Sequence, residues 1–291
     1  KRLKPISISP KIDTQKRFPS YDKINEEISE YQLSLFNPAK YVLLEHQYLY
    51  GKDKWGFSQG DREHFLIGMM KVNFLKRLES SVFAFAKTMD NTIRKIEDLQ
   101  GRLEAFLQLQ KTPEANPEEI LATVEDWEEE EPQEIGLVGK ELKYQLAHLD
   151  IDAWLQDLER DKDQLLGLYN SAAAVTVERD AKLAELKKLI VQKIQQPTTN
   201  KLGQPNRKIL VFTAFADTAD YLYQSLKDWV QSELNIHIAL VTGDKSRNKT
   251  TFGGKEFNQI LTNFSPISKR RSLTSSMPDR KSTRLNSSHY S

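Results

Sequence analysis

The sequence predicts a mainly α protein with a truncated α/β part: a long antiparallel helical hairpin, followed by an incomplete set of parallel strands with helices packed on them. Three observations carry this. Apolar residues recur at helical spacing over 61–111 and again over 138–196. After a Pro- and Gly-bearing stretch at 196–205 the pattern changes to short, unbroken apolar runs separated by an amphipathic helix. Glycine is scarce, 12 residues in 291 against a usual share of about 7%, which favours long helices with few turns.

The amino-terminal region, 1–60, reads as a linker with short helices. Ile6, Ile8 and Ile12 alternate loosely between Pro5, Pro10 and Pro19, as in a strand or an extended linker. Two helices fit Tyr21–Tyr50, with a break at Asn37-Pro38, because the residue before a proline is pushed out of the helical region. Residues 51–60 read as a loop. From 61 to 111 there is no proline, and Leu75, Leu78, Val82, Phe85, Met89, Ile93, Ile96, Leu99, Leu103 and Phe106 form a stripe. Its mean spacing of about 3.4 residues is close to the 3.5 of a coiled-coil seam. A single helix here would run about 75 Å and could not cover that seam alone.

The hairpin's expected tip is 112–135, where ten carboxylates between Glu114 and Glu134 meet no Lys or Arg. A solvated acidic linker with a helical scrap around Glu118–Trp127 is the preferred reading over a DNA mimic or a metal sponge, since nothing pre-organises the carboxylates. Leu146, Leu149, Trp154, Leu158, Leu165, Leu168, Ala172 and Val175 make the returning stripe, so that the insert spans 61–196. Asp180 is placed to cap a helix over Ala181–Gln195, with Leu183, Leu186, Leu189 and Ile190 on one face. Lys208–Thr213 and His237–Val241 read as strands buried on both faces, Asp217–Ser232 as the helix between them, and Phe252–Phe264 as a further helix.

Composition excludes several functions. Lys and Arg number 42 against 41 Asp and Glu, so the chain is no uniformly basic wrapper of nucleic acid. It has no cysteine, hence no disulfide, thiolate metal site or cysteine nucleophile, in keeping with a cytoplasmic location. No apolar run approaches the roughly 20 residues of a membrane span. Gly136–Glu141 fails the phosphate-loop pattern in spacing and in its last residue, and Gly243-Asp-Lys-Ser246 lacks the preceding glycines. Neither H-E-x-x-H nor G-x-S-x-G occurs, and the five histidines are scattered, with His237 read as a satisfied core residue. The chain starts at Lys1 without a methionine, which points to a missing amino terminus. Asp279–His289 matches, codon for codon over eleven residues, a translated sequencing adapter, so 279–291 reads as an artefact rather than a basic patch.

The positive signal lies in ordered blocks. Asp180–Ile190, then Arg207-Lys-Ile-Leu-Val-Phe-Thr-Ala-Phe-Ala-Asp-Thr-Ala-Asp-Tyr-Leu222, Val241-Thr-Gly-Asp244 and Phe257–Pro266 resemble the opening of the second RecA-like lobe of superfamily-2 helicases. Met70-Lys-Val-Asn-Phe-Leu-Lys-Arg-Leu-Glu-Ser-Ser81 with Phe83-Ala-Phe85 is similar to the helical insert of the bacterial Swi/Snf-type ATPases in that group. The resemblance implies that 197–278 is an incomplete carboxy-terminal RecA-like helicase lobe. It also implies that the parent protein uses ATP and Mg²⁺ to move on DNA, most simply duplex DNA. The partner lobe with the phosphate loop would precede Lys1, and the arginine motif would follow Pro278. The fragment alone is then expected to bind no cofactor, to contain no catalytic or metal-ligating residue, and to be inactive.

By the same resemblance Thr213, Phe215, Asp217, Thr218, Thr242, Gly243 and Asp244 would face nucleic acid. The chemistry is consistent: Thr213 and Phe215 end a strand at the carboxyl edge of a sheet, where open α/β folds bind ligands. Ala216–Thr218 opens a helix whose first N–H groups favour phosphate, and Gly243 lets backbone approach a ligand. Equally, Asp217 and Thr218 could only cap the helix, and Gly243 only turn the chain. The rival for the whole chain is a non-enzymatic helical-hairpin scaffold with a small α/β docking module.

Overall fold

The computed structural model describes residues 5–50, 59–110, 121–123, 143–200 and 203–266. Most of the predicted loop 51–60, nearly all of the acidic stretch 112–135 and everything beyond 266 lie outside the described residues. The chain forms two compact units. One draws on Lys1–Phe18, Ser80–Ala84 and Val175–Ser291, the other on Pro19–Glu79 and Phe85–Ala174. Helix dominates both.

The Pro19–Ala174 unit holds helices α1 (Tyr21–Ser29), α2 (Gln59–Ser80), α3 (Val82–Gln110) and α4 (Ile151–Ala173), with a short strand pair β1 (Leu121–Thr123) and β2 (Lys143–Gln145). The helix expected over 61–111 is two helices, interrupted at Ser81. A straight run would put Lys71 about 44 Å from Gln100. Yet Lys71 Nζ reaches Ser29 O at 2.6 Å, Tyr31 Oη reaches Gln164 O at 3.3 Å, and Gln100 itself bonds Glu159 at 2.8 Å. α3 must therefore double back on α2, and α4 runs opposite to α3. Of the first stripe Leu78, Val82, Phe85, Met89, Ile93, Ile96, Leu103 and Phe106 are buried, while Leu75 and Leu99 are half-buried. All eight residues of the returning stripe are buried.

A strap over residues 21–43 runs antiparallel to both α2 and α4. Tyr21 meets Glu79, Ser29 meets Lys71 and Ala39 meets Glu63 along α2. Ser34 meets Asp161, Tyr41 meets Asp157 and Leu43 meets His148 along α4 and its approach. After α1 the strap is not the second helix expected but three 3-10 turns, Ser34–Phe36, Pro38–Tyr41 and Leu44–Tyr50. Pro38 starts the middle one, and Asn37 before it sits outside the helical region at φ −134°. The helical scrap expected near Glu118–Trp127 is, at Leu121–Thr123, a strand antiparallel to Lys143–Gln145.

The other unit contains α5 (Ala181–Gln195), β3 (Thr198–Thr199), β4 (Pro205–Asn206), α6 (Ala216–Leu234), β5 (Ala239–Leu240), β6 (Lys249–Thr250) and α7 (Phe257–Phe264). Asp180 caps α5 as expected, its carboxylate accepting from Leu183 N–H at 2.9 Å. Leu183 and Ile190 of α5 pack with Tyr221, Leu226 and Val230 of α6 as the core. The amino-terminal segment closes over α5: Asp13 pairs with Arg179 at 2.5 Å and accepts the N–H groups of Gln15, Arg17 and Phe18. The guanidinium foremost, and then those N–H groups, holds the Asp13 carboxyl far below its ordinary range.

The expected parallel sheet does not form among the described residues. β3 pairs with β4 and β5 with β6, both antiparallel and two residues long. The stretch expected as a linker, 196–205, is the first of these hairpins, turned at Gly203 with φ +79°. Lys208–Thr213 makes no ladder, with Leu210 64% and Phe212 85% exposed. A run apolar on both faces needs cover on both faces, and here only Ile209 packs against the core. Residues 236–241 alternate, with Ile236 and Ile238 partly buried, Leu240 buried and the others exposed, instead of being buried throughout.

Candidate nucleic-acid interface

The seven sequence-predicted residues occupy two places in the Val175–Ser291 unit, the amino end of α6 and the turn after β5. At the helix end Phe215 stands in the cap position with extended backbone (φ −116°, ψ 133°) and offers no side-chain cap. Asp217 and Thr218 follow it in the first turn of the helix. Thr213 Oγ1 instead accepts from Phe215 N–H at 3.3 Å, turning the chain into the helix.

Thr218 is buried, and its hydroxyl lies 2.7 Å from Ser80 Oγ and 3.1 Å from Ser81 Oγ. Ser80 Oγ also meets Thr213 Oγ1 at 3.2 Å. Four hydroxyls from positions more than 130 residues apart thus form one chain of hydrogen bonds. Ser81 in addition caps α3, its Oγ accepting from Ala84 N–H at 3.0 Å. One turn further along α6, the Tyr221 ring stacks on Phe83 at 4.9 Å and 9°, and its hydroxyl donates to Asp180 at 2.8 Å. Burial foremost, with the Asp180 charge, pushes the Tyr221 hydroxyl above its ordinary range, so it stays a donor.

Asp217 is buried, 3.7 Å from the Arg247 guanidinium. Asp220 binds Arg247 at 2.8 Å and Lys249 at 2.5 Å. Burial pushes the Asp220 carboxyl up, and these two cations more than reverse this, leaving it below its usual value. The ion pairs fasten the 242–249 turn to α6 near its amino end, where Thr213, Phe215, Asp217 and Thr218 lie.

Within the turn, Asp244 is spent on structure. It accepts from Ser246 N–H at 2.9 Å and from the Ser246 hydroxyl at 2.7 Å, which holds its carboxyl below the ordinary range. Thr242 donates its hydroxyl to Asp244 O at 2.7 Å and its N–H to the buried Asn248 at 3.2 Å. Gly243 is exposed, its φ is not positive, and a Cβ there would meet nothing within 4 Å, so the turn itself does not require glycine. His237, expected in the core, is exposed; its ring lies 4.8 Å from that of Phe252 and Nδ1 3.3 Å from Thr251 Oγ1.

Sequence reading singled out neither Ser80, Ser81 nor Phe83 for the site. A signal was present: a Ser three residues before the N–H it serves is a helix N-cap pattern, and it marks where a helix starts afresh. Chemically, the face offers neutral hydroxyls, backbone donors and cations already balanced by carboxylates. Among the described residues no three metal-ligating side chains come together, and no helix is long and apolar enough to cross a membrane. No protein-family profile, curated protein or solved structure matches the chain.

Proposed function

We propose that the chain is part of a cytoplasmic, ATP-dependent DNA helicase or translocase, comprising its helical insert and the start of its second RecA-like lobe. ATP and Mg²⁺ would be bound by the whole enzyme, and duplex DNA would run past Thr213, Phe215, Thr242 and Gly243. Thr218, Asp217 and Asp244 would position that face, and so would the hydroxyls of Thr213 and Thr242, which are likewise engaged within the protein, at Ser80 and at Asp244 O. The observation that carries the reading is the meeting of Ser80 and Ser81 with Thr213 and Thr218. These are the two blocks on which the helicase resemblance rests, and they are far apart in sequence. The exposed apolar run Leu210–Phe212 also suits an inner strand whose neighbours come from elsewhere.

Fluorescence anisotropy of a labelled duplex, titrated with the 291-residue chain at low salt, tests this. Binding should weaken steeply with salt, as phosphate contacts require. Thr213→Val with Thr242→Val, which remove the internal hydrogen bonds that order this face, should weaken it by about 5- to 50-fold. A chain that ignores DNA at low salt would rule the reading out. The scaffold alternative draws on a different observation, namely that the described strands are short antiparallel hairpins beside a predominantly helical body.

A further inference from the structure

Glu63, on α2, is a carboxylate 2% exposed. Two separate segments reach it: the Tyr144 hydroxyl of β2 donates to Oε1, and Ala39 N–H of the Pro38–Tyr41 turn donates to Oε2 at 2.8 Å. Among the described residues no cation pairs with it. Lys40, next to Ala39, is committed to Asp157 at 2.6 Å. Arg62 and His64 flank it on α2, each about 100° round the helix.

The groups behind Tyr144 are also neutral. Its ring lies 4.9 Å from that of Tyr50. Tyr50 Oη accepts Gln145 N–H at 3.1 Å and lies 2.9 Å from His148 Nδ1. Burial foremost, with the His46 ring stacked at 3.9 Å, pushes the His148 pKa down and favours its neutral form. His46 has its own carboxylate, Glu45, at 3.5 Å. Among the described side chains, which do not include that of Lys143, no positive charge compensates an ionised Glu63 from the turn or from the strand.

We propose that Glu63 is a protonation-controlled latch, shut when its carboxyl is neutral and released when it ionises, tying the Pro38–Tyr41 turn and the Lys143–Gln145 strand to α2. In the neutral state one oxygen accepts from Ala39 N–H while the acid proton is shared with the Tyr144 oxygen, which can donate or accept. Ionisation leaves a negative charge 2% exposed and, among the described side chains, without a cation, and opening is the way to hydrate it. Burial foremost pushes the Glu63 carboxyl up, to about 7, against the lowering by Tyr144 and Ala39. The sign follows: a carboxyl raised above its open-state value holds its proton in the closed form, so closure is favoured at low pH and lost as pH rises through 7. The strand it holds pairs with Leu121–Thr123, and the pair brackets residues 124–142 in the chain.

Amide hydrogen exchange on the 291-residue chain, corrected for intrinsic rates, tests the latch. The protection of Ala39 and of Lys143–Gln145 should fall about tenfold between pH 6 and pH 8, and Glu63→Gln should abolish that dependence. Equal pH dependence in the variant, or none in the parent, overturns the proposal. If Glu63→Gln fails to fold, carboxyl ¹³C titration of the parent decides the matter: a Glu63 midpoint near 7 supports the latch, and one below 5 overturns it.

Discussion

Leu158→Asp is expected to unfold the Pro19–Ala174 unit. Leu158 is 0% exposed, in the buried stripe of α4 between Trp154 and Asp161, which meet the strap at Ser34. Removing a buried leucine costs about 2–5 kcal/mol with the cavity it leaves, and a buried carboxylate without a partner adds several more. The sum is comparable with the whole stability of a domain, about 5–15 kcal/mol. Circular dichroism should show most of the helical signal lost or melting far below the parent. Glu97→Gln, on the exposed side of α3, should stay within about half a kcal/mol. A Leu158→Asp protein that melts like the parent would contradict the packing of α4 described above.

The second large effect is expected at Asp161. Its side chain is 1% exposed and accepts the N–H groups of Leu33 at 3.3 Å and Ser34 at 2.5 Å. Leu33 is held in the left-handed region at φ 52°, a conformation that costs a non-glycine residue roughly 1–2 kcal/mol. Asp161→Ala leaves two buried donors without an acceptor, about 1–3 kcal/mol each, and removes what holds that turn. A loss of about 3–5 kcal/mol is expected in urea denaturation. Asp161→Asn keeps one acceptor oxygen and should lose less than half as much. Equal losses for the two variants would show that the charge, rather than the acceptor geometry, matters.

What was legible in the sequence was local. The cap at Asp180 with its helix to Gln195, and the stripe from Leu146 to Val175, follow from residues within a turn or two of each other, where spacing alone decides which face is apolar. The break at Ser81 carried only a faint local mark, a serine three residues before the Ala84 N–H it caps, with neither proline nor glycine beside it. It is fixed by hydroxyls more than 130 residues away, at Thr213 and Thr218. Lys208–Thr213 misled for the opposite reason. Its apolar run states what the segment needs around it, and only neighbours supply that. At the candidate interface the residue types were legible, but not their division of labour: Asp244 and Thr218 look alike in sequence to groups that face a ligand, and only their partners show them occupied.

The Val175–Ser291 unit is assembled from three stretches of chain, with the whole Pro19–Ala174 unit falling between them in order of synthesis. Asp13 waits for Arg179, and Ser80 waits for Thr218. Contacts of such long sequence separation close slowly, because the loop entropy is spent before any contact repays it. A chain emerging from the ribosome can therefore complete the helical unit once Ala174 has appeared. Asp13 stays without Arg179 until just after Ala174, and the hydroxyls of Ser80 and Ser81 stay without Thr213 and Thr218 until the last third of the chain arrives. During that interval Leu183 and Ile190 have no α6 to cover them, which is the window in which a chaperone would find an apolar helix face to hold.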